Sequence, residues 1–238
     1  MEKEFFEVAK DGNVEVVQDI LRKNPKLDVN FDQNGWTSLH SACRNGHDAI
    51  VSFLLAHPNI DVNLKTRNGH TAFFLACANG HLSCVREMLR DFRVKVNERD
   101  NVGCTPVYWA ACWGHLDVIK WWIASGREVN LGTPGDGKTD AIRVAKKEGK
   151  TEVVILLERF NSDVTETRHA MRVEIGWYDE AAPEMFALVV FVCDGLLQAK
   201  DATTTTPAAR FFSMPKDSLL NSRWCFATVR WDQARKSF

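Results

Sequence analysis

The sequence contains no apolar run long enough to cross a membrane, and it has no secretory signal at its start. Its longest apolar run, Met185 to Cys193, has about half of the roughly 20 residues that a membrane-spanning helix needs. Met1 is followed by Glu, Lys and Glu rather than by a basic start and an apolar stretch. We therefore expect no membrane partner, and we expect the mature protein to begin at Met1.

An excess of charge of one sign is also missing. The chain carries 30 Lys+Arg against 31 Asp+Glu, which gives a formal net charge of -1. A nearly neutral protein has no long-range field that attracts nucleic acid or an anionic membrane. No basic stripe stands out in the sequence either. We expect no nucleic-acid partner, and we expect any partner to be recognised through local contacts.

Cysteines are present, but not in pairs with metal-ligand or disulfide spacing. The seven cysteines include no C-x-x-C pair and no spaced Cys/His set, so the sequence predicts neither a metal site nor a disulfide framework. Reduced thiols are typical of the cytoplasm or the nucleus, and we expect a cytoplasmic protein. Cys43 and Cys77 occupy equivalent positions that hold alanine elsewhere, which predicts small buried side chains.

What the sequence does have is an internal repeat with a step of 34 residues. Several independent positions keep this step, which makes the signal highly specific. The repeated positions are a turn glycine (Gly35, Gly69, Gly103, Gly137), a threonine (Thr37, Thr71, Thr105, Thr139), a second glycine (Gly12, Gly46, Gly80, Gly114), a small residue (Ala9, Cys43, Cys77, Ala111, Ala145), a branched residue (Val17, Val51, Val85, Ile119, Val153) and a closing apolar residue (Leu21, Leu55, Leu89, Ile123, Leu157).

Each repeat unit has a mechanical interpretation. The first glycine forms a tight turn, and the threonine two residues later caps a short helix by accepting its free N–H groups. The second glycine ends that helix and allows the chain to turn into a second one. The second helices, such as 48–55 and 82–89, have apolar residues at helical spacing. A single unit cannot bury both of its faces, so the units must stack.

These residues resemble the ankyrin repeat. The pattern appears as Gly-Trp-Thr-Ser-Leu-His-Ser-Ala-Cys at 35–43 and as Gly-Cys-Thr-Pro-Val-Tyr-Trp-Ala-Ala at 103–111. The resemblance covers about residues 3–160. It implies an all-α solenoid of about five helix-turn-helix units with short hairpin loops, followed by a partly helical C-terminal segment.

The repeat register divides the chain into seven segments. We expect a last unit that serves as a solvent-facing cap, since Asp140 replaces the proline found at 106. The predicted segments are an N-terminal capping half-repeat (1–31), three full repeats (32–64, 65–98 and 99–131), a C-terminal capping repeat (132–163), a helical tail (164–214) and a non-native tail (215–238).

Three histidines, His47, His81 and His115, follow the second glycine of successive units. Such a row could hold a metal or relay protons, but the side chains lie one per repeat. The resemblance implies that this position orders the turn between repeats by hydrogen bonding. We therefore interpret all three as structural.

Recognition in a repeat protein falls to positions that differ from unit to unit, at the hairpin tips and on the first helices. The first helices are expected to expose Ser41, Leu75 and Trp109 in matching positions. Tryptophan and arginine are enriched at the centres of protein interfaces. Alternatively, the aromatic side chains pack within the protein, as expected for Trp121 and Trp122. The predicted partner-binding residues are Trp36, Arg44, Arg67, His70, Trp109 and Trp113.

The segment after the repeats contains helical patterns, beginning with a capped helix near Thr165 and a second one from Glu180 to Val192. It resembles a tail that follows ankyrin repeats in related proteins, which continue after Phe-Phe with Leu-Pro-Leu-Glu-Leu-Gln-Met-Val-Leu-Cys. With a consistent choice of codons, translation from the third base of the Met214 codon restores this pattern and meets no stop codon. Our hypothesis is that 215–238 is an out-of-frame, non-native translation. A transcript that encodes the written residues without disruption would contradict it.

Catalytic motifs are absent from the chain. It contains no G-x-S-x-G, P-loop, H-E-x-x-H or G-x-G-x-x-G pattern. Asp179, Glu180 and Glu184 form a carboxylate cluster, but acids at a helix N-terminus are explained by the helix dipole. We expect a monomeric protein-binding module without cofactor or catalytic residues, acting as an adaptor, scaffold or inhibitor. The alternative is an enzyme or a small-ligand site in the C-terminal helical segment.

Overall fold

The computed structural model describes residues 1–135 and 139–177. The predicted tail helix at 180–192 and the out-of-frame hypothesis for 215–238 lie outside the described residues. The helices in the described part are α1 Glu2–Asp11, α2 Val14–Lys23, α3 Ser38–Asn45, α4 Asp48–Leu55, α5 Ala72–Ala78, α6 Leu82–Arg90, α7 Pro106–Trp113, α8 Leu116–Ser125, α9 Ala141–Lys147, α10 Thr151–Ser162 and α11 Val164–Glu174.

The first helix of each full repeat begins at the predicted threonine. The side chain of Thr37 accepts a hydrogen bond from the backbone N–H of His40, and Thr71 and Thr105 cap α5 and α7 in the same way. Gly46 ends α3 with φ +78°, and a Cβ at this position would lie 2.6 Å from the ring of His81. Only glycine fits both the backbone angle and the close contact.

The helix pairs form two layers. The inner layer consists of α1, α3, α5, α7 and α9, each of which packs against the next, and the outer layer consists of α2, α4, α6, α8 and α10. The two layers share one continuous core that contains Phe73 and Trp122, whose rings meet edge to face at 5.0 Å. Both side chains are fully buried, which is worth several kcal/mol of hydrophobic stabilisation per ring at about 25 cal/mol per Å².

Hairpins connect the units, and one of them forms the only strand pair in the described residues. Strand β1 (Asp32–Gln33) pairs antiparallel with β2 (Trp36–Thr37). Asn34 and Gly35 form the turn between them with positive φ angles of 59° and 85°. A two-residue turn with this geometry matches the twist of the flanking strands. Apart from this short strand pair, the described residues form the predicted all-α solenoid.

A repeated asparagine links successive loops. Asn63 donates from Nδ2 to the carbonyl oxygen of Arg93 at 2.8 Å and accepts from the backbone N–H of Lys95 at 2.8 Å. Asn30 makes the corresponding pair of bonds to Asn59 and Asp61. Each side chain thus satisfies one carbonyl and one amide of the next unit, which fixes the spacing of the stack.

A series of arginines caps the ends of the outer helices. Arg93 donates to the carbonyl oxygen of Leu55 at 2.6 Å, and Arg127 donates to that of Leu89 at 3.2 Å. On the next outer helix, α8, Arg172 from α11 donates to the carbonyl oxygen of Ala124 at 2.6 Å. Helix α11 packs against α8 and α10, and residues 1–177 form one compact unit. The first part of the predicted tail therefore extends the repeat stack.

The last repeat differs from the others by one residue. A fixed step of 34 places Gly149 opposite His115, but the structure puts Lys150 there. Both His115 and Lys150 immediately precede an outer helix, and the Lys150 side chain lies against Gly114 as His115 lies against Gly80. The extra residue precedes α9, because the N-cap of α9 is Asp140, 35 residues after the N-cap Thr105 of α7. The expectation that Thr139 caps this helix is therefore wrong.

Candidate functional site

Trp36 and Arg44 lie together at the first hairpin. The tight turn at Asn34 and Gly35 places the Trp36 ring beside α3, where it meets the His40 ring edge to face at 6.1 Å. The Arg44 guanidinium carbon lies 5.2 Å from the centre of the indole. Trp36 is half-buried and Arg44 is exposed. Arg44 and Trp36 thus form a cation–π pair at the surface of the first hairpin.

His40 is buried beneath this pair and is held by both ring nitrogens. Nδ1 lies 2.8 Å from the Thr37 hydroxyl, and Nε2 lies 2.9 Å from the carbonyl oxygen of Leu64. Burial lowers the pKa of His40 to about 4. The imidazole is therefore neutral at physiological pH and acts as a connector between adjacent hairpins rather than as an acid or a base.

Arg67 and His70 lie on the second hairpin. The His70 ring stacks on Phe74 at 4.5 Å with an interplanar angle of 9°, and burial lowers the pKa of His70. The Arg67 side chain crosses the first hairpin, since a Cβ on Gly35 would lie 2.8 Å from Arg67 Cγ. Arg67 is exposed to solvent. His70 is thus an anchored side chain, whereas Arg67 is presented to solvent.

Trp109 and Trp113 lie four residues apart on α7, so they share one face of that helix. Trp109 is half-buried, and its Nε1 donates to Asp100 Oδ2 at 3.2 Å. Trp113 is 59% exposed, an unusual state for a tryptophan in a folded domain. The alternative of internal packing holds partly for Trp109, whereas Trp113 contributes its ring to the surface.

The six predicted residues all lie on the hairpin tips and inner helices, but they do not form one pocket. Trp36 and Arg44 are in direct contact with each other. The expectation that Ser41 and Leu75 are exposed is wrong, since they are 5% and 6% exposed. Helices α3 and α5 are each flanked by two other inner helices, which buries nearly all of their residues except those at the C-terminal end. We call the surface formed by the hairpin tips and the inner helices, on which the six predicted residues lie, the inner face.

The three histidines of the row are bound as the resemblance implied. Their Nε2 atoms lie close to backbone carbonyl oxygens of the preceding unit, at 2.9 Å for His47 to Lys10, 2.8 Å for His81 to Arg44 and 3.1 Å for His115 to Ala78. Each ring also lies against the glycine that ends the preceding inner helix. No group of three metal-ligating side chains occurs in residues 1–135 and 139–177. The row connects units in the stack.

The buried cysteines are packing residues. Cys43 and Cys77 are fully buried, and burial raises the pKa of both thiols well above its usual range. Burial also raises the pKa of Cys84 to about 12. Such thiols are protonated and poorly reactive at neutral pH. This agrees with the prediction that Cys43 and Cys77 are small hydrophobic side chains.

Comparison with known protein families settles the class of the stack. The family model "Ankyrin repeats (3 copies)" matches residues 5–66 and 58–133, which is more than half of the chain. The chain belongs to the ankyrin-repeat family. Ankyrin repeats indicate a protein-interaction module.

Individual relatives match only short stretches. The NAD-capped RNA hydrolase NUDT12 of Homo sapiens is 42% identical over 52 residues, which cover 22% of this chain and 11% of the hydrolase. Osteoclast-stimulating factor 1 of Xenopus laevis is 38% identical over 60 residues, 25% of this chain and 27% of that protein. The same factor of Danio rerio matches to the same extent. The matched stretches thus span about a quarter or less of these curated relatives.

The ankyrin stack also exposes residues that the sequence prediction did not select. Val102, at the third hairpin tip, is 69% exposed, and Phe92, after outer helix α6, is 88% exposed. On the outer side, the Arg86 guanidinium lies 4.1 Å from the Trp121 ring centre, and Trp121 packs on Trp177 at 4.8 Å. Trp121 and the fully buried Trp122 therefore pack internally as expected. No helix in the described part of the chain is long and apolar enough to span a membrane.

Proposed function

We propose that this ankyrin stack is an adaptor, scaffold or inhibitor that binds one protein partner through the inner face. The observation that carries the proposal is the exposure of Trp113 on that face, with Trp36, Arg44 and Arg67 also reaching solvent. Exposure of a large aromatic ring to water is unfavourable, and such a ring is typical of an interface anchor.

The repeat architecture supports the same assignment. Positions that recur from unit to unit, such as the threonine caps and the histidine row, are occupied in holding the stack together. The side chains at 36, 44, 109 and 113 differ from their counterparts in neighbouring units. Residues that vary on a rigid scaffold are free to specify a partner.

Affinity purification with quantitative mass spectrometry from the source cell tests this proposal on the full chain. The full chain is needed because truncation at residue 163 would remove α11, which packs on α8. A partner recovered with the wild type and lost with Trp113→Ala supports the inner face. The matched control is Phe92→Ala, which removes an exposed aromatic ring beside the outer helices. Equal recovery of the partner by wild type and Trp113→Ala, with loss in Phe92→Ala, would contradict the proposal.

We further propose a monomeric, cytoplasmic protein. Buried, protonated thiols are compatible with a reducing compartment. Light scattering coupled to size exclusion measures the oligomeric state, and imaging of the tagged full chain measures its location. A stable dimer, or a secreted protein, would contradict these two statements.

A further inference from the structure

Four consecutive inner helices of the ankyrin stack lack acidic residues. The inner helices α3, α5, α7 and α9 contain no aspartate or glutamate. Their charged residues are all basic: Arg44, Arg143, Lys146 and Lys147. The outer helices carry acids, including Asp48, Glu87, Asp117 and Glu152. The first inner helix, α1, differs from these four because it carries Glu2, Glu4, Glu7 and Asp11. The inner layer therefore lacks acids only from α3 to α9, within a chain whose net charge is -1.

The carboxylates on the hairpins beside the inner helices are already engaged. Asp32 accepts from the backbone N–H of Gly35 at 2.6 Å, and Glu98 pairs with Lys65 at 2.7 Å. Asp100 is buried and accepts from the backbone N–H groups of Val102 and Cys104 as well as from Trp109. These hydrogen bonds and this ion pair stabilise the hairpins.

Two cations on the inner face have no such engagement. Within the residues that the structure describes, neither Arg44 nor Arg67 forms an ion pair, and both are exposed. Arg44 lies over an indole and Arg67 lies over a hairpin glycine, so both guanidinium groups are positioned without being neutralised. Lys146 and Lys147 contribute less, because they pair with Glu158 at 2.6 Å and Glu148 at 3.6 Å.

Apolar surface accompanies this positive charge. Trp113 is 59% exposed at the end of α7, and Val102 is 69% exposed at the third hairpin tip. Between the arginines and the tryptophans lie the buried Leu75 and the half-buried Ala78 of α5, which carry no charge. The inner face therefore combines a pair of unneutralised arginines at one end with exposed rings at the other.

Resting on the protein-binding function proposed above, we propose that the inner face binds an acidic peptide segment of its partner. Carboxylates of the segment pair with Arg44 and Arg67, and an apolar side chain packs against Trp109 and Trp113. Arginine forms planar, bidentate hydrogen bonds with carboxylates, which gives direction as well as attraction. The exposed Arg44 and Arg67, beside inner helices α3 to α9 that carry no carboxylate, are the observation that selects an acidic occupant.

A nucleic acid fits this surface less well than an acidic peptide does. A polynucleotide carries one charge at every nucleotide, and its binding relies on several unneutralised cations along its path. The described inner face offers Arg44, Arg67 and, on the third hairpin, Arg99 as exposed arginines without an ion pair, and uncharged helix surface separates them. A peptide with a few carboxylates and one apolar anchor matches that pattern, so nucleic-acid binding becomes an outcome that the test must detect.

Panning of a phage-displayed random dodecapeptide library against the immobilised full chain tests the preference. We expect selected peptides to be enriched in Asp and Glu around an aromatic or aliphatic residue. A selected peptide, labelled with a fluorophore, is then titrated by fluorescence anisotropy. We expect the affinity to fall by about tenfold or more in the double variant Arg44→Glu/Arg67→Glu and to fall with rising salt. The matched control is Arg90→Glu, an exposed charge reversal on outer helix α6.

The outcomes separate this inference from the protein-binding proposal. Selected peptides without acidic enrichment that are lost with Trp113→Ala would overturn the acidic preference and leave the protein-binding face intact. Peptides that bind the wild type, Trp113→Ala and the double arginine variant with equal affinity would overturn both proposals. Failure to enrich any peptide would overturn the acidic-peptide inference. A labelled oligouridine that binds the wild type more tightly than the selected peptide does would replace the acidic peptide by a nucleic acid. Circular dichroism of each variant verifies that it is folded.

Discussion

Asp100 and Trp109 are joined by a hydrogen bond of 3.2 Å from the indole Nε1 to Oδ2, which ties the third hairpin to inner helix α7. The other carboxylate oxygen, Oδ1, accepts from the backbone N–H groups of Val102 at 2.9 Å and Cys104 at 2.8 Å. One buried side chain thus shapes the hairpin tip and orients a ring of the proposed binding face.

Replacement of Asp100 by alanine should destabilise the protein substantially. The change leaves two backbone N–H groups and one indole N–H without their partner, and we expect a loss of about 2 to 4 kcal/mol in the free energy of unfolding. Trp109→Phe removes only the indole bond and should cost about 1 kcal/mol plus a packing term. Urea unfolding measures both. A loss for Asp100→Ala no larger than that for Trp109→Phe would show that the backbone bonds contribute little.

Acid should destabilise the stack through His40. Its pKa is lowered from 6.5 to about 4 in the folded protein, so the unfolded chain binds the proton more readily between these values. The stability contribution of neutral His40 is present above pH 6.5 and is lost as the pH falls toward 4. We expect a decrease of about 2 kcal/mol between pH 7.5 and pH 5.

The variant His40→Phe isolates this effect, because Phe74 occupies the equivalent position in the next unit. The variant should lose the part of the acid sensitivity that His40 supplies, whatever its stability at neutral pH. The measurement is the difference between the two proteins in urea unfolding at each pH. Identical pH profiles for wild type and His40→Phe would contradict the assignment.

Arg127 belongs to the series of arginines that cap the outer helices, whereas Arg90 forms only a surface ion pair. Their replacement by alanine should therefore lower the free energy of unfolding by different amounts. Arg127 donates to the carbonyl oxygens of Leu89 and Asp91, at 3.2 Å and 3.0 Å, and also to that of Val94. Arg127→Ala should therefore cost about 2 kcal/mol or more, because buried carbonyls lose charged donors. Arg90→Ala, which removes only a surface pair with Glu87, should cost about 0.5 kcal/mol or less. Equal losses in chemical unfolding would contradict the capping role.

The thiols should differ in their reactivity. Cys43, Cys77 and Cys84 are fully buried with raised pKa values, whereas Cys112 is half-buried and its pKa is raised as well, first by desolvation. We expect iodoacetamide to label Cys112 faster than the other three in the native protein. Peptide mass spectrometry after timed labelling measures this order, and the unfolded protein in urea provides the control. Rapid labelling of Cys43 in the native state would contradict the packing.

The repeat register and its hydrogen-bonding positions were predictable from the sequence, because every unit solves the same packing problem. The threonine caps, the glycine ends and the histidine row follow directly from the 34-residue step. The shift at Lys150 was not predictable from that step, because a step of 34 also aligns Val153 and Leu157 with the branched and closing apolar positions of the earlier units. The placement of Arg172 on α8 depends on a tertiary contact outside the repeat.

The binding face was predicted only in outline. Variable positions identified the tips and inner helices, but exposure depends on which neighbours surround each side chain. Ser41 and Leu75 are buried between flanking helices, whereas Trp113 is exposed at a helix end. The absence of acids from inner helices α3, α5, α7 and α9 can be read from the sequence only after the helix boundaries are known. A net charge of -1 conceals it.

Site-specific photocrosslinking in the source cell tests the central claim most directly. Benzoylphenylalanine is placed at Trp113 on the inner face or at Phe92 beside the outer helices, two exposed aromatic positions of the full chain. The account predicts a specific crosslinked partner from position 113 that is absent from position 92. A specific partner crosslinked from position 92, with none from position 113, would contradict it.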